Sequence, residues 1–314
     1  MNIPEKSHWL RQAPALHPPF RKASSMAYDA AHQVSLLFSG GGNNDTWLWN
    51  GKSWRELTPA QSPPARMNAS MVYSAAQKHI VLFGGMNNFG QLLNDTWIWD
   101  GSNWTRVNTA SAPPARSGAC IAYDDARQQV VLFSGQASDQ RFGTLLNDTW
   151  IWDGTTWRDA RPTTRPYVRQ GASLTNCTTG RHLILFGGSA GYALLDDTWT
   201  WNGTDWQEHS LAVRPSARAW AAITYQTHAR QAILMGGNGE GSNTIAPVAL
   251  SDTWAWNSSS WQPLISSPLP DAGDHCAVYD EARQAITVYA ATGGKTVLND
   301  ITSASFQSET WLLP

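Results

Sequence analysis

Two titratable residues stand together at Asp274 and His275, in the segment Pro270-Asp271-Ala272-Gly273-Asp274-His275-Cys276. A carboxylate and an imidazole can exchange protons with a substrate near neutral pH, because histidine titrates there. Neighbours on a strand point to opposite faces, so the two need not act on one molecule. Five arginines, Arg21, Arg66, Arg116, Arg169 and Arg218, recur at one spacing, and Ala272 takes that place before Asp274. A ring of guanidinium forks would grip an anion. The alternative is structural: pairing with the equally repeated Asp45, Asp95, Asp148, Asp197 and Asp252, or with carbonyls. Two residues after each arginine, and after Ala272, come Ala23, Asn68, Gly118, Gly171, Trp220 and Asp274. Trp220 is the odd one in a series of mostly small residues, and reads either as a pocket wall or as a gap-filler. Asn68 and Lys22 are expected to join it as ligand contacts. One residue further on, His275 stands where Ser24 and four alanines stand elsewhere; the blander reading is local compensation for the missing arginine.

These positions align because the chain repeats. DTWLWNGKSW at Asp45 to Trp54 returns as DTWIWDGSNW, DTWIWDGTTW, DTWTWNGTDW and DTWAWNSSSW, and decays to ETWLLP at the end. The period of about 50 residues is that of a propeller blade. Each repeat reads as four strands: one ending in tyrosine, an apolar run such as VVLFSG, the DTWxW strand, and a last tryptophan strand. Asn-Gly or Asp-Gly between the last two signals a tight hairpin, whose central residues need positive φ. Alternate tryptophans such as Trp47 and Trp49 share one face, which the next repeat is expected to cover.

The pattern resembles the kelch repeat: a glycine pair after an apolar strand (Gly84–Gly85, Gly187–Gly188, Gly236–Gly237), an aromatic strand, then a spaced tryptophan. The resemblance implies an all-β, six-bladed propeller of four-stranded antiparallel blades, one domain over residues 1–314. The blades are expected near 19–62, 63–112, 113–165, 166–214, 215–267 and 268–314. The last lacks its outer strand, and residues 7–14 are expected to supply it, since Trp9 and Pro14 repeat the spacing of Trp54 and Pro59. That closure leaves no free sheet edge. The kelch resemblance further implies that arginines at this strand start help to grip acidic peptides, as in kelch substrate adaptors.

A net charge of −2 gives no case for nucleic acid, and no apolar run of membrane-spanning length is present. Three cysteines, with Cys120 and Cys276 at equivalent positions in opposite blades, predict free thiols and a cytoplasmic setting. No histidines have metal-ligand spacing, and no cofactor motif occurs. Loops between the second and third strands vary in length while the other turns do not, which predicts one working face. The function expected is binding of an anionic small molecule or acidic peptide at the central mouth of that face. The alternative is a cofactor-independent isomerase, lyase or cyclase using Asp274 and His275.

Overall fold

The computed structural model describes residues 9–137, 143–241, 244–264, 269, 274–298 and 301–314; for 241, 244–247, 274, 291–298 and 301–307 it describes the backbone alone. Every regular element among these residues is a strand. They form seven antiparallel sheets, six of four strands and one of three. The first sheet is built in chain order from Ser25–Asp29, Val34–Gly40, Asn43–Trp49 and Trp54–Leu57. The next four four-stranded sheets repeat this order. The last runs Asp274–Asp280, Ala285–Leu298, Ile301–Leu313, and its fourth strand is Leu10–Gln12 from the other end of the chain. Leu10 lies opposite Leu312 and Gln12 opposite Thr310. The first strands of the six sheets touch one another in chain order, and Asp274–Asp280 also touches Ser25–Asp29.

Local chemistry explains the hairpins. Asn50 Oδ1 accepts the amides of Lys52 and Ser53, and Gly51 adopts φ 88°. Such a side-chain-capped turn with a left-handed glycine sets the register that places Trp49 opposite Trp54. Second strands such as Val34–Gly40 are buried along nearly their whole length, since both faces are covered.

The tryptophan stripe faces the preceding repeat, not the next. Trp97, Trp99 and Trp104 pack on Ala27, Leu36, Phe38 and Leu48 of the first sheet. The tryptophan of the last strand is fastened toward the same side: Trp104 Nε1 donates to Thr46 Oγ1 at 3.0 Å in the sheet before it. Trp157, Trp206 and Trp261 bond back to Thr96, Thr149 and Thr198 in the same way. Trp54 bonds to Thr310 of the last sheet at 2.8 Å. Trp9 is buried in the corresponding core between the fifth and sixth sheets, among Ile233, Met235, Ala255 and Leu313.

The three-stranded sheet is an elaboration of the fifth repeat. Arg218–Ala219 pairs with Asn238–Gly241, which pairs with Thr244–Ala249. It fixes the backbone immediately before Trp220.

Candidate functional site

The five repeated arginines are struts. Each is at most 1 % exposed. Arg66 holds Asp95 with both terminal nitrogens (2.7 and 2.9 Å), the Gly84 carbonyl with Nη1 and the Pro64 carbonyl with Nε. Arg21, Arg116, Arg169 and Arg218 grip Asp45, Asp148, Asp197 and Asp252 in the same bidentate fork. The aspartate also accepts the indole N–H two residues on, as Asp95 does from Trp97 at 2.7 Å. Burial pushes Asp45, Asp95 and Asp252 up, but the guanidinium and indole bonds outweigh it and hold these carboxyls below the usual aspartate range. The expectation that these arginines meet a ligand is therefore corrected to the structural alternative: a buried, forked guanidinium faces its own carboxylate.

The sixth repeat solves the same problem differently. Glu309 stands at the aspartate position and accepts Trp311 Nε1 at 3.0 Å. Its cation is Arg11, 2.9 Å away, on the strand from the other end of the chain. Arg11 thus replaces the arginine missing at Ala272, and His275 is not needed for that purpose.

Two residues beyond the arginine, the backbone turns left-handed in the first five repeats: φ is 56° at Ala23, 52° at Asn68, 64° at Gly118, 61° at Gly171 and 61° at Trp220. The reason is a relay of main-chain bonds around the axis. Asn68 N–H donates to the Ala23 carbonyl, Gly118 to Asn68, Gly171 to Gly118, and Trp220 to Gly171, at 2.7–3.0 Å. Left-handed geometry suits glycine and is costly for a bulky residue. Trp220 occupies it with its indole laid over Gly118 and Gly171. A Cβ on either glycine would come within 2.8 and 2.7 Å of the ring. Trp220, Asn68, Ser24 and His275 thereby meet in one axial pocket of about 170 Å³, with Gly118 and Gly171 in its wall. His275 Nε2 donates to the Met235 carbonyl at 3.0 Å.

Of the residues expected at the site, Asn68, Trp220 and His275 come together and the five arginines do not. Lys22 is exposed and does not line the pocket. The Asp274 side chain lies outside the described residues, though its backbone pairs with Ala291. The three cysteines are free thiols, and burial pushes Cys120 and Cys276 up to about 12. Among the described residues no three histidine, cysteine or acidic side chains cluster as metal ligands, and no helix is long and apolar enough to cross a membrane.

A second axial cavity, of about 290 Å³, opens on the side of the short turns. Tyr28, Tyr73, Tyr123, Tyr225 and Tyr279 line it, with Asp125 and Glu281. The tyrosines stitch repeat to repeat: Ala282 N–H donates to Tyr28 Oη and Ala76 N–H to Tyr123 Oη. In the fourth repeat Asn176 replaces the tyrosine and donates to Asp125 instead. Asp125 and Glu281 reach solvent, yet partial burial, with Asp124 beside the first and Asp125 and Asp280 beside the second, raises both carboxyls. Sequence reasoning centred on one working face missed this mouth. The signal was present in the acidic third residue of YDDARQ and YDEARQ, where other repeats carry alanine or threonine.

Comparison with known proteins agrees with this geometry. The family model for the KLHDC2/KLHL20/DRC7 Kelch-repeats domain matches residues 35–237, well over half of the chain. The solved structure of YjhT is similar at a TM-score of 0.67 with 14% identity, over 93% of this chain and 99% of that one; this likeness concerns the fold alone. No curated protein matches. With the tandem sheets, the tryptophan stripes and the matched family model together, the chain belongs to the kelch-repeat family.

Proposed function

We propose that this chain is a six-bladed binding propeller that holds a compact, uncharged, flat molecule at the loop-side mouth of its axis. The six four-stranded sheets serve as blades of one ring, closed by Leu10–Gln12 on the last. The observation that carries the reading is Trp220. A tryptophan kept at φ 61° beside glycines of the same geometry is a strained residue at a concave site. Its ring offers a stacking surface, and Asn68 and Ser24 bring hydroxyl and amide groups to the same pocket. An anionic or acidic-peptide ligand loses its support once the arginines are paired with aspartates. The alternative of acid–base chemistry by Asp274 and His275 has less behind it, because His275 Nε2 is engaged by a main-chain carbonyl. Three free thiols suit a reducing, cytoplasmic setting.

The test is a saturation-transfer NMR screen with matched neutral and carboxylated ring compounds. Neutral rings should receive saturation from the wild type and lose it in Trp220→Gly and Asn68→Ala. Binding by the carboxylated set alone, or unchanged binding in Trp220→Gly, would refute this assignment.

A further inference from the structure

The wall of the mouth on the short-turn side is layered. Deepest in it stand Met26, Met71, Ile121, Leu174, Ile223 and Ala277. Two residues on, along the same face of each first strand, come the tyrosines, with Asn176 in the fourth repeat. Two residues further, at the rim, Ala30, Ala75 and Thr227 stand beside Asp125 and Glu281. The cavity of about 290 Å³ therefore runs from an apolar floor through an aromatic collar to an acidic rim.

The collar is held in place from outside. Tyr28 and Tyr123 accept amides of neighbouring turns, Tyr225 Oη accepts Thr178 Oγ1 at 2.8 Å, and the main chain of Ala31 and His228 holds Tyr73 and Tyr279. With the phenol oxygens taken up between repeats, the rings are what the collar offers, and aromatic rings attract a cation over their faces. The six first strands close a cycle, so the third and sixth turns lie across the axis from each other. These two turns carry Asp125 and Glu281, and the charge of the first reaches the second. Neither carboxylate has an ion pair among the described residues; Asp125 accepts a hydrogen bond from Asn176. The arginines of the same turns are engaged elsewhere, Arg127 with Asp124 at 3.0 Å and Arg283 with Asp280 at 2.7 Å. Both lie over hairpin glycines of a neighbouring repeat, where a Cβ on Gly203 or Gly51 would come within 1.8 or 2.0 Å of them. Among the described residues no third histidine, cysteine or acidic side chain joins the pair, which leaves it short of the oxygen ligands that calcium or magnesium takes.

We propose that this mouth binds a small organic cation, an alkylammonium whose charged head sits between Asp125 and Glu281 at the tyrosine collar and whose apolar tail lies against the floor. The head supplies the countercharge that the two turns lack, and the collar adds the attraction of its rings. The tail takes the side chains of the floor out of water. An anion is repelled by the two carboxylates, and a neutral alcohol of the same length gains the floor alone. Ala30 and Ala75 show that the turn itself needs no acid at this position, so the two carboxylates answer something other than the fold. Partial burial raises both carboxyls, and a cation between them would bring both down. The site lies at the opposite end of the axis from Trp220 and stands independently of that reading.

The experiment is isothermal titration of the full chain with pentylammonium at neutral pH and low salt, beside pentanol and hexanoate. A linear chain brings no flat ring to Trp220, so the result does not depend on that mouth. Pentylammonium should bind one to one, pentanol at least about tenfold more weakly, and hexanoate not at all. Asp125→Asn and Glu281→Gln keep the size of each side chain and remove its charge. Each should weaken pentylammonium at least about threefold, and the double variant about tenfold. Their melting temperatures at neutral pH should be no lower than that of the wild type, which separates lost binding from lost folding. Glu56→Gln, exposed on the outer strand Trp54–Leu57, removes the same charge far from the axis and should leave the affinity unaltered. Pentanol binding as tightly as pentylammonium, undiminished affinity in the double variant, equal weakening in Glu56→Gln, or no saturable binding by the wild type would overturn the proposal.

Discussion

Arg218 and Trp220 are two residues apart on one strand start, and they illustrate opposite uses of a repeat. Arg218 obeys the repeat, is buried, and forks onto Asp252 at 2.6 and 2.8 Å. Trp220 breaks the repeat, is partly exposed, and holds a backbone conformation that suits glycine. A side chain present in five of six copies answers a need common to those repeats, here a buried guanidinium that ties a partly exposed carboxylate to two main-chain carbonyls. A side chain present once answers something that the ring does not require.

The sharpest way to break this comparison is at a regular strut. Arg66→Ala leaves Asp95 without its cation in a largely buried site, and such losses cost about 3–5 kcal/mol. Urea unfolding of the variant should show that drop. A cost below about 1 kcal/mol would mean that the strut behaves as a solvent-screened surface pair, and the arginine ring would return as a candidate ligand surface.

Acid separates the struts from the tyrosine-lined mouth. Asp45, Asp95 and Asp252 have folded pKa values below their unfolded values. Their stabilisation is complete above the unfolded aspartate value, near 3.9, and is lost as pH falls through the folded values. Asp125 and Glu281 have folded values above their unfolded ones. Their ionised forms are disfavoured in the fold, so protonating them as pH falls through those raised values adds stability. Melting temperature should therefore rise slightly on mild acidification, then fall steeply below about pH 4. Asp125→Asn should remove part of the early rise without touching the later fall. An early rise unchanged in Asp125→Asn would place its cause elsewhere.

Much of the architecture was legible because the repeat supplies its own alignment. The DTWxW strings located the third strands, Asn-Gly and Asp-Gly located the hairpins, and Trp9 announced a strand that pairs with Ile301–Leu313. The direction of the tryptophan stripe was not legible, since strand alternation puts Trp47 and Trp49 on one face without saying which neighbouring sheet covers that face. Arg11 was missed for a related reason. Its partner Glu309 lies at the far end of the sequence, and only the closing strand brings them together. The site was legible as deviations, Trp220 and His275, but not their geometry: nothing in the string RAWAA states that Trp220 lies flat over Gly118 and Gly171.

That contact can be measured by a double-mutant cycle. Gly171→Ala places a Cβ at φ 61° and against the indole, so it should destabilise by about 1–3 kcal/mol. Trp220→Gly relieves the left-handed strain while losing the indole packing, and should change stability by within about 1 kcal/mol. In the double variant the Gly171→Ala cost should shrink by at least about 0.5 kcal/mol, since the steric partner is gone and only the backbone strain persists. Strict additivity would mean that the indole does not rest on Gly171, and the pocket floor would have to be redrawn.

The smallest expected effect lies at the closing strand, where the sixth repeat borrows its cation. Arg11 is 56% exposed and meets Glu309 through one nitrogen, whereas Arg66 is fully buried and meets Asp95 through two. Exposure lets water and salt screen the pair, so Arg11→Ala should cost only about 0.2–1 kcal/mol. The cost should also shrink in high salt, whereas that of Arg66→Ala should not. The difference between these two arginines measures burial together with the second nitrogen and the two carbonyl contacts of Arg66, since both complete a carboxylate-plus-indole unit. If Arg11→Ala instead cost as much as Arg66→Ala, and the cost survived molar salt, then the Arg11–Glu309 pair would be a principal fastening of the ring rather than a solvent-exposed substitute for the strut at Ala272.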